Sequence, residues 1–385
     1  MTSHRHDDTR ALVEGNTAFA LDLYRQLKEN EGNLFFSPYS ISTALAMTIA
    51  GAQGNTEAQM ARALHFALDQ GQLHPAFASL EARLSALQEK GRVLLRVANA
   101  LWPQEGYSLR DEFLALTEKF YGVQIAAVDF STVEAAEEAR QRINAWVEER
   151  TEVKIEELIP RATLLALLIL VNAIYFKGDW ARQFDEALTH DAPFWVTRGE
   201  QVQVPLMHQV GECGYAETGH LQILELPYAG DDLSMIALLP ADRGGLADLE
   251  DALSVDNLSG WTRRIRRREV DVSLPRFTMR CGFELSETLR AMGMTDAFDD
   301  EADFSGIDGT RLLYISAVFH QAFVEVNEEG TEAAAATAVV MAPKGLPPPI
   351  PTFRADRPFV FLIRENHTGS VLFLGRVVDP RSGVD

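Results

Sequence analysis

The sequence predicts an α+β protein that forms one large domain over residues 1–385. Helix-like periodicity dominates the first 150 residues, whereas strand-like segments dominate the part that follows residue 164. Helices first and strands later are typical of α+β folds rather than of alternating α/β folds. The hydrophobic content of 46% is enough for a substantial core, and neither a low-complexity linker nor an internal repeat divides the chain.

Apolar residues recur at helical spacing in five places before residue 150. We predict helices from about Asn16, from the Ser37-Pro38 pair, from Thr56, and over residues 75–90 and 134–150. The proline favours a helix start, because the first helical turn does not use the N–H that proline lacks.

Strands are predicted mainly in the second half of the chain. Residues 164–176 are continuously apolar except for Asn172, which indicates a strand buried on both faces. Further strands are expected at residues 221–226, 233–239, 269–275, 318–327, 359–363 and 371–377. These elements are sufficient for large antiparallel or mixed sheets.

An alanine-rich segment near the C-terminus is the most informative part of the sequence. Alanine is a poor strand former, yet the alternate positions from 331 to 341 carry only small or uncharged side chains, and Glu332 falls on the other parity. This period of two predicts a segment that can enter a sheet as a strand. The alternative is a flexible linker or a short helix.

Several sequence blocks, in this order, resemble those of the serpin family. They are Asn33–Met47, Asn172–Trp180, Leu224–Tyr228, Val272–Phe277, Met292–Phe298, Ala302–Gly306 and Arg357–Ile363. The resemblance extends over about residues 15–380. It implies the serpin fold, with about nine helices around three β-sheets, a large central sheet and an exposed reactive-centre loop at about residues 328–352.

The resemblance also implies roles for particular residues. A polar cluster called the shutter, beneath the main sheet, is expected from Ser37, Ser40, Asn172 and His320. Trp180 is expected at the breach, where the loop first enters the sheet. The hinge of the loop is expected to comprise Glu329, Gly330, Thr331, Glu332, Ala333, Ala334, Ala335 and Ala336. Without the resemblance, His320 and Trp180 would be interpreted as ordinary core residues.

By resemblance, the protein is expected to inhibit a serine protease as a suicide substrate. The specificity residue in inhibitory serpins usually follows the hinge glycine by fourteen positions, which gives Lys344 and a scissile bond between Lys344 and Gly345. A lysine suits trypsin-like proteases, whose specificity pocket carries a carboxylate. The alternatives are an elastase-like, chymotrypsin-like or cysteine protease as target, and a non-inhibitory binding or carrier protein.

Composition limits the classes of partner. The net charge of −21 argues against nucleic acid and anionic membranes as partners. One segment is basic although the chain as a whole is acidic. It contains Arg263, Arg264, Arg266, Arg267 and Arg268. Its two interpretations are a solvated basic helix face and a polyanion-binding patch. We expect a monomer.

The sequence contains no motif of an enzyme. A glycine-rich phosphate loop, an HExxH motif and a nucleophile elbow are all lacking, so we expect neither catalysis nor a cofactor. Cys213 and Cys281 have no metal-ligand spacing, and we expect two buried free thiols and no metal site. The first residues lack the apolar core of a signal peptide, which predicts a cytoplasmic protein, with export by another route as the alternative.

Overall fold

A computed structural model describes residues 2–89, 93–123, 125–161, 166–330 and 350–382. The predicted α+β class is confirmed, because helices dominate the first part of the chain and strands the second. The α-helices of the described residues are α1 (Thr2–Leu27), α2 (Pro38–Ile49), α3 (Gly54–Ala63), α4 (Gln70–Glu89), α5 (Asp111–Tyr121), α6 (Val133–Arg150), α7 (Leu246–Ala252), α8 (Val255–Thr262), α9 (Ser286–Ala291) and α10 (Ser305–Asp308).

Local sequence explains where several helices begin and end. The Ser37 side chain accepts a hydrogen bond from the backbone N–H of Ser40, which caps α2, and Pro38 occupies the first turn. The Thr132 hydroxyl caps α6 in the same way. Helix α5 ends at Gly122, whose φ of 64° is a left-handed conformation that glycine adopts at low cost.

The strands of the described residues form two hydrogen-bonded sheets. They are β1 (Leu34–Phe36), β2 (Val93–Pro103), β3 (Leu168–Gly178), β4 (His190–Trp195), β5 (Gln201–Thr218), β6 (Leu221–Pro227), β7 (Leu233–Pro240), β8 (Arg266–Pro275), β9 (Phe277–Glu284), β10 (Ala317–Val326), β11 (Thr352–Arg354), β12 (Phe359–Glu365) and β13 (Val371–Val377). One sheet has four strands in the order β2-β3-β10-β9. The other has nine, in the order β1-β13-β12-β7-β6-β5-β8-β11, with β4 paired to β5.

The number of elements differs from the expected nine helices and three sheets. Ten α-helices and two sheets are present in the part of the chain that the structure describes. Two expected sheets are joined into one because the long strand β5 pairs with β8 over Leu206–Tyr215 and with β6 over Gly214–Thr218. The nine-stranded sheet is therefore the larger of the two. Strand β3, which was predicted to be buried on both faces, belongs to the four-stranded sheet.

The central pair of the four-stranded sheet is parallel. Strand β10 pairs with β3 from Ala317 opposite Ile169 to Val324 opposite Phe176. The outer strands β2 and β9 run antiparallel to their neighbours. We call the boundary between β3 and β10 the seam.

Helices fill the space on both faces of this sheet. All twelve residues of α2 are buried, and α2 packs between the two sheets, against β2, β3 and β13. Helix α6 covers the opposite face, where Trp146 of α6 packs edge to face on Trp102 of β2 with ring centroids 5.6 Å apart. The seam therefore lies between α2 on one face and the α6 layer on the other.

Two local predictions were wrong. Helix α1 starts at Thr2 rather than at about Asn16, so it has an additional N-terminal part that the apolar spacing did not indicate. The basic run is not a helix face, because α8 ends at Thr262 and Arg266–Arg268 belong to β8. Pairing with β5, in which Arg266 lies opposite Tyr215, extends this strand despite its charge.

Candidate functional site: the seam and the hinge

The chain that leaves β10 crosses directly to the end of β3. The indole N–H of Trp180 donates to the carbonyl of Asn327 (2.9 Å), and the backbone N–H of Trp180 donates to the carbonyl of Glu329 (3.2 Å). The backbone N–H of Phe184 donates to the carbonyl of Glu328 (2.9 Å). These bonds hold residues 327–329 across the end of the seam at which both β3 and β10 finish. We call it the upper end of the seam.

Trp180 is itself held by aromatic packing. Its side chain is only 4% exposed and stacks on Tyr228 with ring centroids 4.7 Å apart and an interplanar angle of 10°. Phe184 also packs edge to face with the indole, with ring centroids 6.3 Å apart. Trp180, predicted at the breach, thus lies just after the end of β3, in contact with the chain that leaves β10.

Gly330 lies in tight contact with the same segment. Its φ is +72°, a conformation that side chains rarely adopt, and a Cβ placed there would lie 2.1 Å from the backbone nitrogen of Trp180. Only glycine can therefore fit at this point without moving one of the two segments.

Glu328 is a buried carboxylate beside these contacts, with 2% exposure. Its Oε1 accepts hydrogen bonds from Thr189 Oγ1 (2.6 Å) and from the guanidinium of Arg276 (2.6 Å). Burial by itself raises the pKa of Glu328, but the bonds from Arg276 and Thr189 outweigh it and lower the pKa below its ordinary value. The ionised carboxylate is thus retained in the interior. Sequence reasoning missed Arg276, which gives no local signal because it lies far from Glu328 in the chain.

The four residues predicted as the shutter meet beneath the seam. The backbone N–H of Ser37 donates to Nε2 of His320 (3.1 Å), and the Ser37 hydroxyl donates to the carbonyl of Leu372 (2.6 Å). Asn172 Oδ1 bonds to Nδ1 of His320, and the Asn172 amide donates to the Ser40 hydroxyl oxygen. All four side chains are buried, so these bonds satisfy polar groups that water cannot reach.

These hydrogen bonds define which ring nitrogen of His320 carries the proton. Nε2 accepts a hydrogen bond, so the proton of the neutral ring resides on Nδ1 and is donated to Asn172. Complete burial lowers the pKa of His320 to about 3, and a bond to Asn172 opposes this shift only in part. A second proton would bring Nε2–H against the Ser37 N–H.

Asn99 is a member of the cluster that the sequence analysis missed. It lies opposite Asn172 in the β2–β3 pair, and its Oδ1 accepts bonds from the Asn172 amide and from the Ser40 hydroxyl (3.2 Å). Asn99, Asn172 and His320 therefore form one row across three adjacent strands. The available signal was a single uncharged polar residue between alanines, in a strand that is apolar apart from this residue and Arg96.

Most of the predicted hinge and the predicted scissile bond lie outside the described residues. These are Thr331, Glu332, Ala333, Ala334, Ala335, Ala336, Lys344 and Gly345. Of the predicted hinge, Glu329 and Gly330 are described, and both lie at the upper end of the seam.

The remaining candidate groups lie elsewhere. Arg266, Arg267 and Arg268 are exposed on β8, and Arg267 lies 3.6 Å from Asp231. Cys213 is buried and Cys281 is half-buried; both are free, and burial raises the pKa of each thiol to about 11.

Within the described ranges, no cluster of three metal-ligating side chains occurs. No helix there has the length and apolarity needed to span a membrane.

Comparisons with known proteins agree with this architecture. The family model described as serpin (serine protease inhibitor) matches residues 14–380. The chain therefore belongs to the serpin family. Leukocyte elastase inhibitor from Sus scrofa is 45% identical over 381 residues, which cover 96% of this chain and 99% of the relative.

Two solved structures show the same fold. Uncleaved ovalbumin superposes with a TM-score of 0.87 at 31% identity, covering 96% of this chain and all of the other. Human thyroxine-binding globulin, solved as a complex, superposes with a TM-score of 0.87 at 32% identity, covering 97% of this chain and all of the other. The predicted serpin fold is confirmed.

Proposed function

We propose that this protein inhibits a trypsin-like serine protease as a suicide substrate. The protease serine would attack the carbonyl carbon of Lys344, the Lys344–Gly345 bond would break, and Gly345 would leave as a free amine. The residues after Gly330 would then insert between β3 and β10, while Lys344 remains esterified to the protease.

One observation carries the proposal: the parallel strands β3 and β10 lie side by side, and the chain that precedes the hinge crosses their upper ends. A strand placed between two parallel strands can run antiparallel to both. It would replace one parallel ladder by two antiparallel ladders, and antiparallel pairing is somewhat more stable per residue. The left-handed conformation of Gly330 supports the reversal of direction that this insertion requires.

The length and composition of the segment suit this movement. Thirteen residues from 331 to 343 would form a strand of about 43 Å at about 3.3 Å per residue. That displacement would carry the bound protease to the opposite end of the sheet. Small and uncharged side chains at alternate positions lower the free-energy cost of inserting this segment into the sheet, because a buried charge there would lack a partner.

The test uses the protein mixed with trypsin at equal concentration and examined on a denaturing gel. We expect a band near the sum of the two masses and a C-terminal peptide that begins at Gly345 by mass spectrometry. Lys344→Arg, which keeps the cation, should retain the complex, and Lys344→Ala should lose it. A complex that persists undiminished in Lys344→Ala would place the reactive bond elsewhere.

Inhibition of an elastase-like protease is the second candidate, and the name of the 45%-identical relative favours it. In that case an uncharged residue such as Met341 would serve as the specificity residue. The same gel with elastase distinguishes the two, because the released peptide would then begin before Gly345. A hormone-carrier function, suggested by thyroxine-binding globulin, predicts no covalent complex with either protease.

A further inference from the structure

Two aromatic rings meet across the seam on the face of the sheet that carries α6. Phe323 of β10 lies opposite Tyr175 of β3, and their rings pack edge to face with centroids 5.6 Å apart. Both side chains are 5% exposed and belong to the apolar cluster between the sheet and α6. The polar row that contains His320 bonds to α2 on the opposite face, so the ring pair is a separate contact across the seam.

A single cation lies over both rings. The ammonium nitrogen of Lys154 is 5.8 Å from the centroid of the Tyr175 ring and 5.4 Å from the centroid of the Phe323 ring. A cation within about 6 Å of a ring centroid is attracted by the ring, and more strongly where water is excluded. Lys154 therefore connects β3 to β10 although it belongs to neither strand.

The turn that carries Lys154 follows α6 and has an unfavourable backbone conformation. Glu152 and Val153 have φ angles of +53° and +63°, which a β-branched residue such as valine rarely adopts. The backbone N–H of Val153 donates to the carbonyl of Glu148 (2.9 Å), and that of Lys154 donates to the carbonyl of Thr151 (3.0 Å). A strained conformation persists where its surroundings impose it, so the fold fixes the position of Lys154.

The turn is attached to only one side of the seam. The guanidinium of Arg96, on β2, lies 2.8 Å from the carboxylate of Glu152. Helix α6 also packs on β2, through Trp146 and Trp102. Strand β2 pairs with β3 along its whole length. A separation of β3 from β10 would therefore leave the turn with β2 and β3.

We propose that Lys154 is a positioning residue that holds the seam closed and slows the entry of a strand between β3 and β10. An inserted strand would add one strand spacing, about 4.8 Å, between the two rings. Lys154 would stay over Tyr175 and lose Phe323, which keeps the guanidinium of Arg280, 5.9 Å away on β9. The lost attraction is part of the free-energy barrier to insertion.

The test measures how fast a separate strand enters the seam, and it needs no protease. The probe is a synthetic peptide with the sequence of residues 331–343 and an N-terminal fluorescein, and its retention by the protein is followed over time on a native gel. Lys154→Met keeps the apolar stem and removes the charge, so we expect the peptide to enter about fivefold faster than in the unmodified protein. Lys154→Arg keeps a cation and should restore a rate within about twofold of the unmodified protein.

Lys119→Met is the matched control. The ammonium group of Lys119 also lies over an aromatic ring, that of Phe120 at 4.6 Å, but both residues belong to α5. This contact does not change when β3 and β10 separate, so the rate of peptide entry should stay within about twofold of the unmodified protein. A general loss of stability would affect the thermal melts of both methionine variants, whereas loss of the contact across the seam affects the rate only in Lys154→Met.

A second comparison identifies Phe323 as the partner. Phe323→Leu keeps an apolar side chain and removes the ring, so it should also speed peptide entry. Lys154→Met added to Phe323→Leu should have little further effect, because the shared contact is already absent. Fully additive effects would contradict a shared contact. Lys154 is half-buried on a turn, so its variant remains informative even if Phe323→Leu folds poorly.

Equal rates of peptide entry in the unmodified protein and in Lys154→Met, or no entry into either, would overturn the proposal. The consequence for a protease rests on the proposed function. With trypsin, Lys154→Met should consume fewer inhibitor molecules per trapped protease, because faster insertion competes better with hydrolysis of the ester. If no variant forms a covalent complex with a protease, the proposed function fails, whereas the peptide rates still decide the role of Lys154.

Discussion

The side chains of Asn172 and His320 are hydrogen-bonded directly to each other across the seam between β3 and β10. Any strand that enters the sheet at this level must break that bond. Asn99, Asn172 and His320 therefore form a hydrogen-bonded polar row across three strands, and its Asn172–His320 bond joins β3 to β10. If β3 and β10 separated, Asn172 Oδ1 and His320 Nδ1–H would lose each other as partners.

The first prediction concerns pH. His320 has a folded pKa of about 3, below the value of about 6.5 in an unfolded chain, so the unfolded state binds more protons as the pH falls through this range. The free energy of unfolding should consequently decrease below about pH 6.5, by about 2 kcal/mol from this residue at about pH 5. Denaturant unfolding between about pH 7 and about pH 5 checks this.

His74 provides an internal comparison for the same experiment. It is buried, burial lowers its pKa to about 4, and its Nδ1 bonds to the hydroxyl of Tyr121 (2.6 Å). His320→Asn should therefore retain roughly half of the pH dependence. A pH slope unaltered by His320→Asn would contradict the assignment of a neutral His320 in the folded state.

The second prediction separates the two faces of the hinge. Thr331→Arg should convert the protein from an inhibitor into a substrate, because a charge would have to enter the sheet without a partner. Glu332→Arg is the matched control, since position 332 has the opposite parity in an inserted strand. We expect Thr331→Arg to be cleaved without a covalent complex on a denaturing gel, and Glu332→Arg to keep the complex. Equal behaviour of the two variants would argue against insertion in this register.

The third prediction concerns the contact of Gly330 with Trp180. Gly330→Ala would place a Cβ 2.1 Å from the Trp180 nitrogen at a φ of +72°, so one segment must move. We expect the free energy of unfolding to fall by about 1–3 kcal/mol. Gly199→Ala is the control, because nothing lies within 4 Å of a Cβ at that position. Thermal or denaturant unfolding that ranks both variants equally would disprove the steric argument.

The fourth prediction concerns the buried carboxylate. Arg276→Gln removes the cation that helps to retain Glu328 in the interior, and we expect a loss of about 1–3 kcal/mol, because a buried charge loses a partner. Adding Glu328→Gln should recover part of this loss, because the uncompensated charge disappears. Arg110→Gln, which breaks an exposed pair with Glu112, should cost less than about 1 kcal/mol. A double variant less stable than Arg276→Gln would contradict this account.

Elements with a strong local pattern were predictable from the sequence. Helix α2 was expected from Ser37 and Pro38, and strand β3 from an apolar run broken only by Asn172, and both are found. The predictions of where α1 starts and of a helical conformation for the basic run were wrong. In the basic run, pairing with β5 extends a strand where local composition favoured a helix face.

The features of the candidate site were also predictable only in part. The sequence by itself determined which residues are small, charged or conformationally free, including Gly330 and the alternating pattern after it, because these are properties of single side chains and their spacing. Only the tertiary structure decided that Asn99 joins the polar row and that Arg276 reaches Glu328, residues 52 positions apart. The physical reason is that burial and hydrogen bonding at the seam depend on which strands become neighbours, and strand neighbours are selected by packing over the whole core.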